Sequence, residues 1–322
     1  MWQLLVANFG MKITNNYPFI NKNMKNHIIP LLLFCLVFAS CSKEVAYNDI
    51  QKESNNSLLI SEMSAFNDSL LQTVSQTRAS NKQILDRMSI VVADAIGAYE
   101  CGSVGAKIGA FFGHPHVGAG ICALVGGAYS SYKCYDLLHS TRALSSPVKY
   151  QPLQVAAAYV PAVENTSIIQ NNLPKQISIN FSEPNDEAIE FGAKHNVIVS
   201  NLQTNNFAID SDVKKLLTKE EFEILSSNDF IDEYDNIVNN LSDCIVNKRI
   251  PQNANEDVSS MLMNLFASIL ETYSDKLEDT EFIINKYLDA VQRSSELTSE
   301  EKDNIYKSLS VAASSFEFWN GK

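Results

Sequence analysis

The amino-acid sequence predicts an all-α protein, a glycine-zipper helical hairpin joined to a C-terminal helical bundle. Three observations carry that expectation. Apolar residues return every three or four positions over residues 59–91 and again from 185 to the end, the spacing that lines one face of a helix. Thr218 with Glu221, and Thr298 with Glu301, match the T-x-x-E capping box that marks a helix start. Nine of the twelve glycines fall between Gly97 and Gly127, several of them four residues apart.

In chain order, the first feature is a targeting segment. From Met24 the sequence reads MKNHIIPLLLFCLVFASC, with Lys25 as a positive start, Ile28 to Phe38 as an apolar stretch, and the small pair Ala39-Ser40 before Cys41. The apolar stretch is too short for a bilayer span, which takes roughly 20 residues. Phe38-Ala39-Ser40-Cys41 resembles a lipobox, with Phe where Leu is usual, and this resemblance implies a lipid on Cys41. Residues 1–23 precede a complete signal and read as a mis-assigned start. Residues 24–40 are then the lipoprotein signal peptide, and residues 41–58, polar and rich in Asn and Ser, a tether.

Residues 59–142 are read as a helical region. Leu59, Met63, Phe66, Leu70 and Val74 give one apolar face. A second helix starts at Ser80, spaced from Gln83 as in a capping box, and runs through Ile84, Met88 and Val91 into the glycine segment. Residues 143–184 hold five of the nine prolines and read as an irregular linker, with Ile177, Ile179 and Phe181 alternating as in a short strand. Residues 185–322 form the bundle. Its helices open at the two capping boxes and at Asn255 or Glu256, from which Val258, Met261, Leu262, Leu265 and Ile269 face inward. Another helix covers Asp279 to Leu297, and the last turns Ile305, Leu309, Ala312, Phe316 and Trp319 to one side.

The glycines call for a close helix contact. Gly105, Gly109 and Gly113 share one face, and Gly118, Cys122, Gly126 and Ser130 repeat the spacing after His114-Pro115-His116. Each glycine costs a helix up to about 1 kcal/mol relative to Ala, which backbone-to-backbone packing offsets. The expected product is an antiparallel hairpin of residues 89–113 and 117–135, turned at Pro115. Asp94, Glu100, Lys107 and Lys133 interrupt both arms as membrane spans. With the turn near residues 116 to 117, Cys101 and Cys134 fall level on opposite arms, and an oxidising compartment would join them in a disulfide.

Gly105-x3-Gly109-x3-Gly113, followed by Gly118-x-Gly120 and Gly126-Gly127, resembles the glycine-zipper helices of class II bacteriocin-like peptides over about 40 of the 322 residues. The chain also resembles a group of Bacteroidetes envelope lipoproteins in which a glycine-zipper hairpin precedes a helical part opening with Gly-x-x-His-Asn. Here that signature reads Gly192-Ala193-Lys194-His195-Asn196, with Asn185 and Asp186 before it. Ser42-Lys43-Glu44 is similar to the short charged export tag of Bacteroidetes surface lipoproteins. The resemblance implies a lipid-anchored protein of the cell envelope, at the outer membrane of a Gram-negative bacterium, and implies no activity.

Candidate chemistry is sparse. His195 with Asn196 reads as a ligand contact or a hydrogen-bonded structural pair. His114 and His116 flank Pro115 without a third ligand at metal spacing, so no metal is expected. HExxH, GxSxG and Walker A patterns are missing from the sequence, which predicts a non-catalytic protein with no cofactor. Without residues 1–41 the chain has 22 basic against 37 acidic residues, a net charge of −15, which argues against nucleic acid as a partner. The expected partners are a membrane, through the lipid, and either a protein or a target membrane at the hairpin. Two functions follow: a structural or partner-binding hairpin on an envelope lipoprotein, or a bacteriocin-like toxin that perturbs membranes.

Overall fold

The structure, a computed structural model, describes residues 57–74, 82–139, 159, 169, 171–183, 185–204, 211–232, 257–273 and 276–320. The chain divides into the units Met1–Glu53 and Ser54–Lys322, and every described residue belongs to the second. The expected signal peptide, Cys41, most of the tether, the Ser80 cap and most of the 143–184 linker lie outside the described residues.

The protein is all-α. Nine helices are defined among the described residues: α1 Leu58–Val74, α2 Lys82–Phe111, α3 Pro115–His139, α4 Asp186–Thr204, α5 Ser211–Lys214, α6 Lys219–Leu225, α7 Val258–Tyr273, α8 Leu277–Arg293 and α9 Ser299–Asn320. Both capping boxes form. The Thr218 amide donates to Glu221 Oε2 at 2.7 Å while Thr218 Oγ1 accepts from the Glu221 amide at 3.1 Å. Thr298 and Glu301 repeat the exchange at 2.7 and 3.2 Å at the head of α9. Asn185 Oδ1 takes the Ala188 amide of α4, and Asp257 Oδ1 the Ser260 amide of α7, so each side chain fills an amide that its helix leaves open.

One apolar core runs from Leu59 to Trp319 and includes both hairpin arms. At its centre is α9, packed by α2, α4 and α8. The expected inward residues Ile305, Leu309, Ala312, Phe316 and Trp319 are buried, but so are Ser308, Ser310, Ala313, Ser314 and Ser315. A helix with one apolar stripe would leave those serines in water. Their small size instead lets helices approach α9 from several sides; the Ser308 and Ser310 hydroxyls donate to the Asn304 and Ile189 carbonyls and Ser315 to Asp94, whereas the buried Ser314 hydroxyl has no partner.

Two expectations change on the way to α9. The alternating segment Ile177, Ile179, Phe181 is not a strand: it has no regular secondary structure, and the Phe181 amide turns back to the Ile179 carbonyl at 3.3 Å. Its backbone is held by side chains: the amides of Lys175, Gln176 and Ile177 donate to the Glu317 carboxylate, and Asn285 brackets the Asn180 amide and the Ser178 carbonyl. In α7 Leu262 and Ile269 are buried as expected, but Val258, Met261 and Leu265 are half-buried while Met263, Phe266 and Leu270 are buried, so its inward face is shifted from the one expected. α1 docks on α7 and α8 through Asn67, which donates to the Leu265 carbonyl at 2.9 Å and accepts from the Tyr287 hydroxyl at 3.0 Å.

Candidate functional site: the glycine seam and the Asp94–His195 pair

α2 and α3 meet along a seam of four facing positions: Gly97 on Ser130, Cys101 on Gly126, Gly105 on Cys122 and Gly109 on Gly118. At every level at least one partner lacks a side chain or has a very small one, so the backbones nearly touch. A Cβ added at Gly109 would fall 2.8 Å from the Cα of Gly118, and at Gly105 or Gly118 it would run into the carbonyl of the facing glycine. Gly126 leaves the space that Cys101 Sγ fills.

Gly113, expected as the third member of the seam, is not in it. Its φ of 81° is left-handed, and a Cβ there would meet nothing within 4 Å. The His114 amide donates to the Gly109 carbonyl at 2.7 Å and the Gly113 amide to the Ala110 carbonyl at 3.1 Å, the paired bonds of a Schellman cap. Gly113 therefore ends α2 and makes the turn, and Pro115, which has no amide hydrogen to satisfy, starts α3. Gly97, which sequence reasoning left out of the stripe, takes the fourth place.

The turn position also removes the expected disulfide. Cys101, Cys122 and Cys134 are thiols. Because the chain reverses at residues 112 to 114 rather than 116 to 117, Cys101 lies opposite Gly126, and Cys134 comes eight residues later, about 12 Å along the helix. That exceeds the roughly 7 Å that a disulfide can bridge between Cα atoms. Burial pushes both the Cys101 and Cys122 thiols well up, so neither is a nucleophile at neutral pH.

Where α2 meets α4 and α9 the core turns polar. Asp94, with no exposure, accepts from His195 Nε2 at 3.2 Å through Oδ1, and from the Ser315 hydroxyl and Trp319 Nε1 through Oδ2. His195 is equally buried and its Nδ1 faces Asn196 Oδ1 at 3.3 Å, while Asn196 Nδ2 donates to the Ser314 carbonyl at 2.9 Å. Trp319 Nε1 also reaches Ser131 of α3 at 3.1 Å, and its ring stacks on Tyr135. Gly192 lies one turn before Asn196, where a Cβ would strike the Ser310 carbonyl and Ser314, so the glycine lets α4 seat against α9. The Gly192, His195, Asn196 signature is thus a packing and hydrogen-bonding unit.

Asp, His and Ser in one cluster suggest nucleophilic chemistry, and the geometry argues against it. Ser315 bonds to Asp94, both ring nitrogens of His195 are engaged by other oxygens, and no member of the trio is exposed. Sequence reasoning treated Asp94 as an obstacle to membrane insertion and did not find Ser315, Trp319 or Ser131. A lone carboxylate in the run Ile90-Val91-Val92-Ala93-Asp94-Ala95-Ile96 was the available signal.

Towards the hairpin tip a cleft of about 180 Å³ opens beside Tyr99, His116, Asp257, Glu300 and Lys307. Several of its polar groups are engaged with one another. Tyr99 OH bonds to Ser259 at 2.6 Å, burial pushes its pKa up to about 12, and Lys307 is paired with Asp303 at 2.7 Å. Among the described residues no three His, Cys, Asp or Glu side chains gather to hold a metal, and no helix is long and apolar enough to cross a membrane. The chain matches no family model, no curated protein and no solved structure.

Proposed function

We propose that this chain is a lipid-anchored envelope protein in which the hairpin is the structural spine of a non-catalytic helical domain. The observation that carries the reading is the closure of the seam. The small faces of α2 and α3 are spent on each other, and α4, α6, α7 and α9 pack on the hairpin away from its exposed tip. Insertion of the hairpin into a bilayer would require stripping Asp94 from His195, Ser315 and Trp319. A charge left at mid-membrane costs roughly 2.5 to 3.5 kcal/mol or more.

Partner binding then belongs to the outside of the domain, and the anchor rests on the Lys25-to-Cys41 segment of the sequence. The purified protein should leave dye-loaded liposomes intact, and Gly109→Leu should lower its stability by about 1 to 3 kcal/mol or more through overpacking. Leakage by the wild type, lost in Gly109→Leu with the melting temperature kept, would favour the membrane-perturbing reading instead. For the anchor, Cys41→Ala should abolish processing and lipid attachment, read by mass spectrometry and membrane fractionation.

A further inference from the structure

We infer that the hairpin tip, centred on Phe111, is a lipid-contacting surface that the N-terminal chain holds against its own membrane; the inference rests on the proposed anchor at Cys41. Hairpin and N-terminus reach the same end of the domain. Gly102 packs on Asn304 and Arg87 bonds to Asn320, so α9 runs antiparallel to α2 and begins towards the tip. α7 does the same, with Ser259 at Tyr99 and Glu271 at Ser89. The Leu59 amide donates to Glu296, just ahead of α9, and Glu62 pairs with Arg293, so α1 starts at that end too. With Asn304 level with Gly102, α9 begins about level with Lys107, and the tip from Phe111 onward projects about 6 Å or more beyond it at 1.5 Å per residue.

The exposed surface at this end is apolar where it projects. Phe111 and Leu58 are each 81% exposed, the highest values among the large apolar side chains of the described residues, and Phe112 and Val117 are half-exposed beside Phe111. The charge also fits. From Cys101 to Tyr135 the chain has no carboxylate, and Lys107 lies one turn from Phe111 at the tip, in a protein of net charge −12. The carboxylates at this end, Asp257 ahead of α7 and Glu300 and Glu301 in the first turn of α9, line the cleft rather than the projecting tip. An exposed aromatic beside a lysine suits the interface between lipid headgroups and acyl chains. The fifteen residues from 42 to 56 span at most about 50 Å, so a lipid on Cys41 keeps Ser57, and the tip at the same end, near the bilayer.

The test places a reporter at the tip of the full chain. Phe111→Trp, whose exposed position should leave the melting temperature unchanged, is reconstituted into phosphatidylethanolamine–phosphatidylglycerol vesicles with brominated acyl chains, and the lipid on Cys41 is read separately by mass spectrometry. The expected result is a blue shift and loss of most of the added emission. A lipidated protein whose reporter stays unquenched overturns the inference and leaves the anchor standing. Quenching without lipid on Cys41 overturns the anchor and supports the tip. A reporter unshifted in vesicles but blue-shifted in native envelope membranes points to a protein occupant and also overturns it.

Discussion

Asp94 has three donors and no exposure to solvent. Removing one side of such a buried arrangement leaves the others unsatisfied, which typically destabilises by about 3 to 5 kcal/mol. Asp94→Ala should show a loss of that order in urea denaturation, because His195, Ser315 and Trp319 lose their common acceptor. His195→Gln should cost less, and the double variant less than the sum of the singles, since both act on one network. Additive losses would mean that the two residues stabilise the fold independently. Each residue was visible in the sequence as an anomaly, Asp94 within an apolar run and His195 beside Gly192. Their pairing across 101 positions was not, because it depends on where α4 crosses α2.

At the scale of the element, the seam sorts glycines by what surrounds them. Gly105→Ala puts a methyl against a backbone carbonyl that cannot move without opening the hairpin, and should destabilise by about 1 to 3 kcal/mol. Gly120→Ala meets only the edge of Phe191 at 3.8 Å, and should be neutral or stabilising by up to about 1 kcal/mol through helix propensity. Gly113→Ala has open space but a left-handed backbone, and should cost about 1 to 2 kcal/mol. Equal effects at Gly105 and Gly120, measured by denaturant unfolding, would contradict the seam. The spacing of four was legible and pointed to the helices. The membership was not, because Gly113 keeps the spacing while its conformation ends α2. That four-residue difference in the turn also misplaced Cys134.

For the whole molecule, the hairpin and the C-terminal helices should unfold together, since α9 packs on both α2 and α8. Cys101 and Cys122 are buried in the seam and held as thiols, so they report its opening. A thiol reagent should label them only as the far-ultraviolet helix signal is lost, in one transition. Labelling ahead of that loss would reveal a hairpin that opens on its own, which the membrane-perturbing reading requires. The all-α class followed from periodicity and caps. The central position of α9 did not, because its serines mimic a solvent face in sequence and act as small packing residues in the core.

The Schellman turn at Gly113 has a consequence for errors in assembly. Slide the two arms past each other by one helical turn and the seam still nearly fits: Gly97 comes opposite Gly126 and Gly105 opposite Gly118, while Cys101 lands on Cys122. The stripe is a ruler that can be read at two marks, and only the turn says which mark is true. Closing a turn of this size takes well under a microsecond, whereas sulfur oxidation takes seconds or longer. In an oxidising compartment the order of those clocks protects the fold, and a Cys101–Cys122 bond would be the lasting record of a chain that missed its turn.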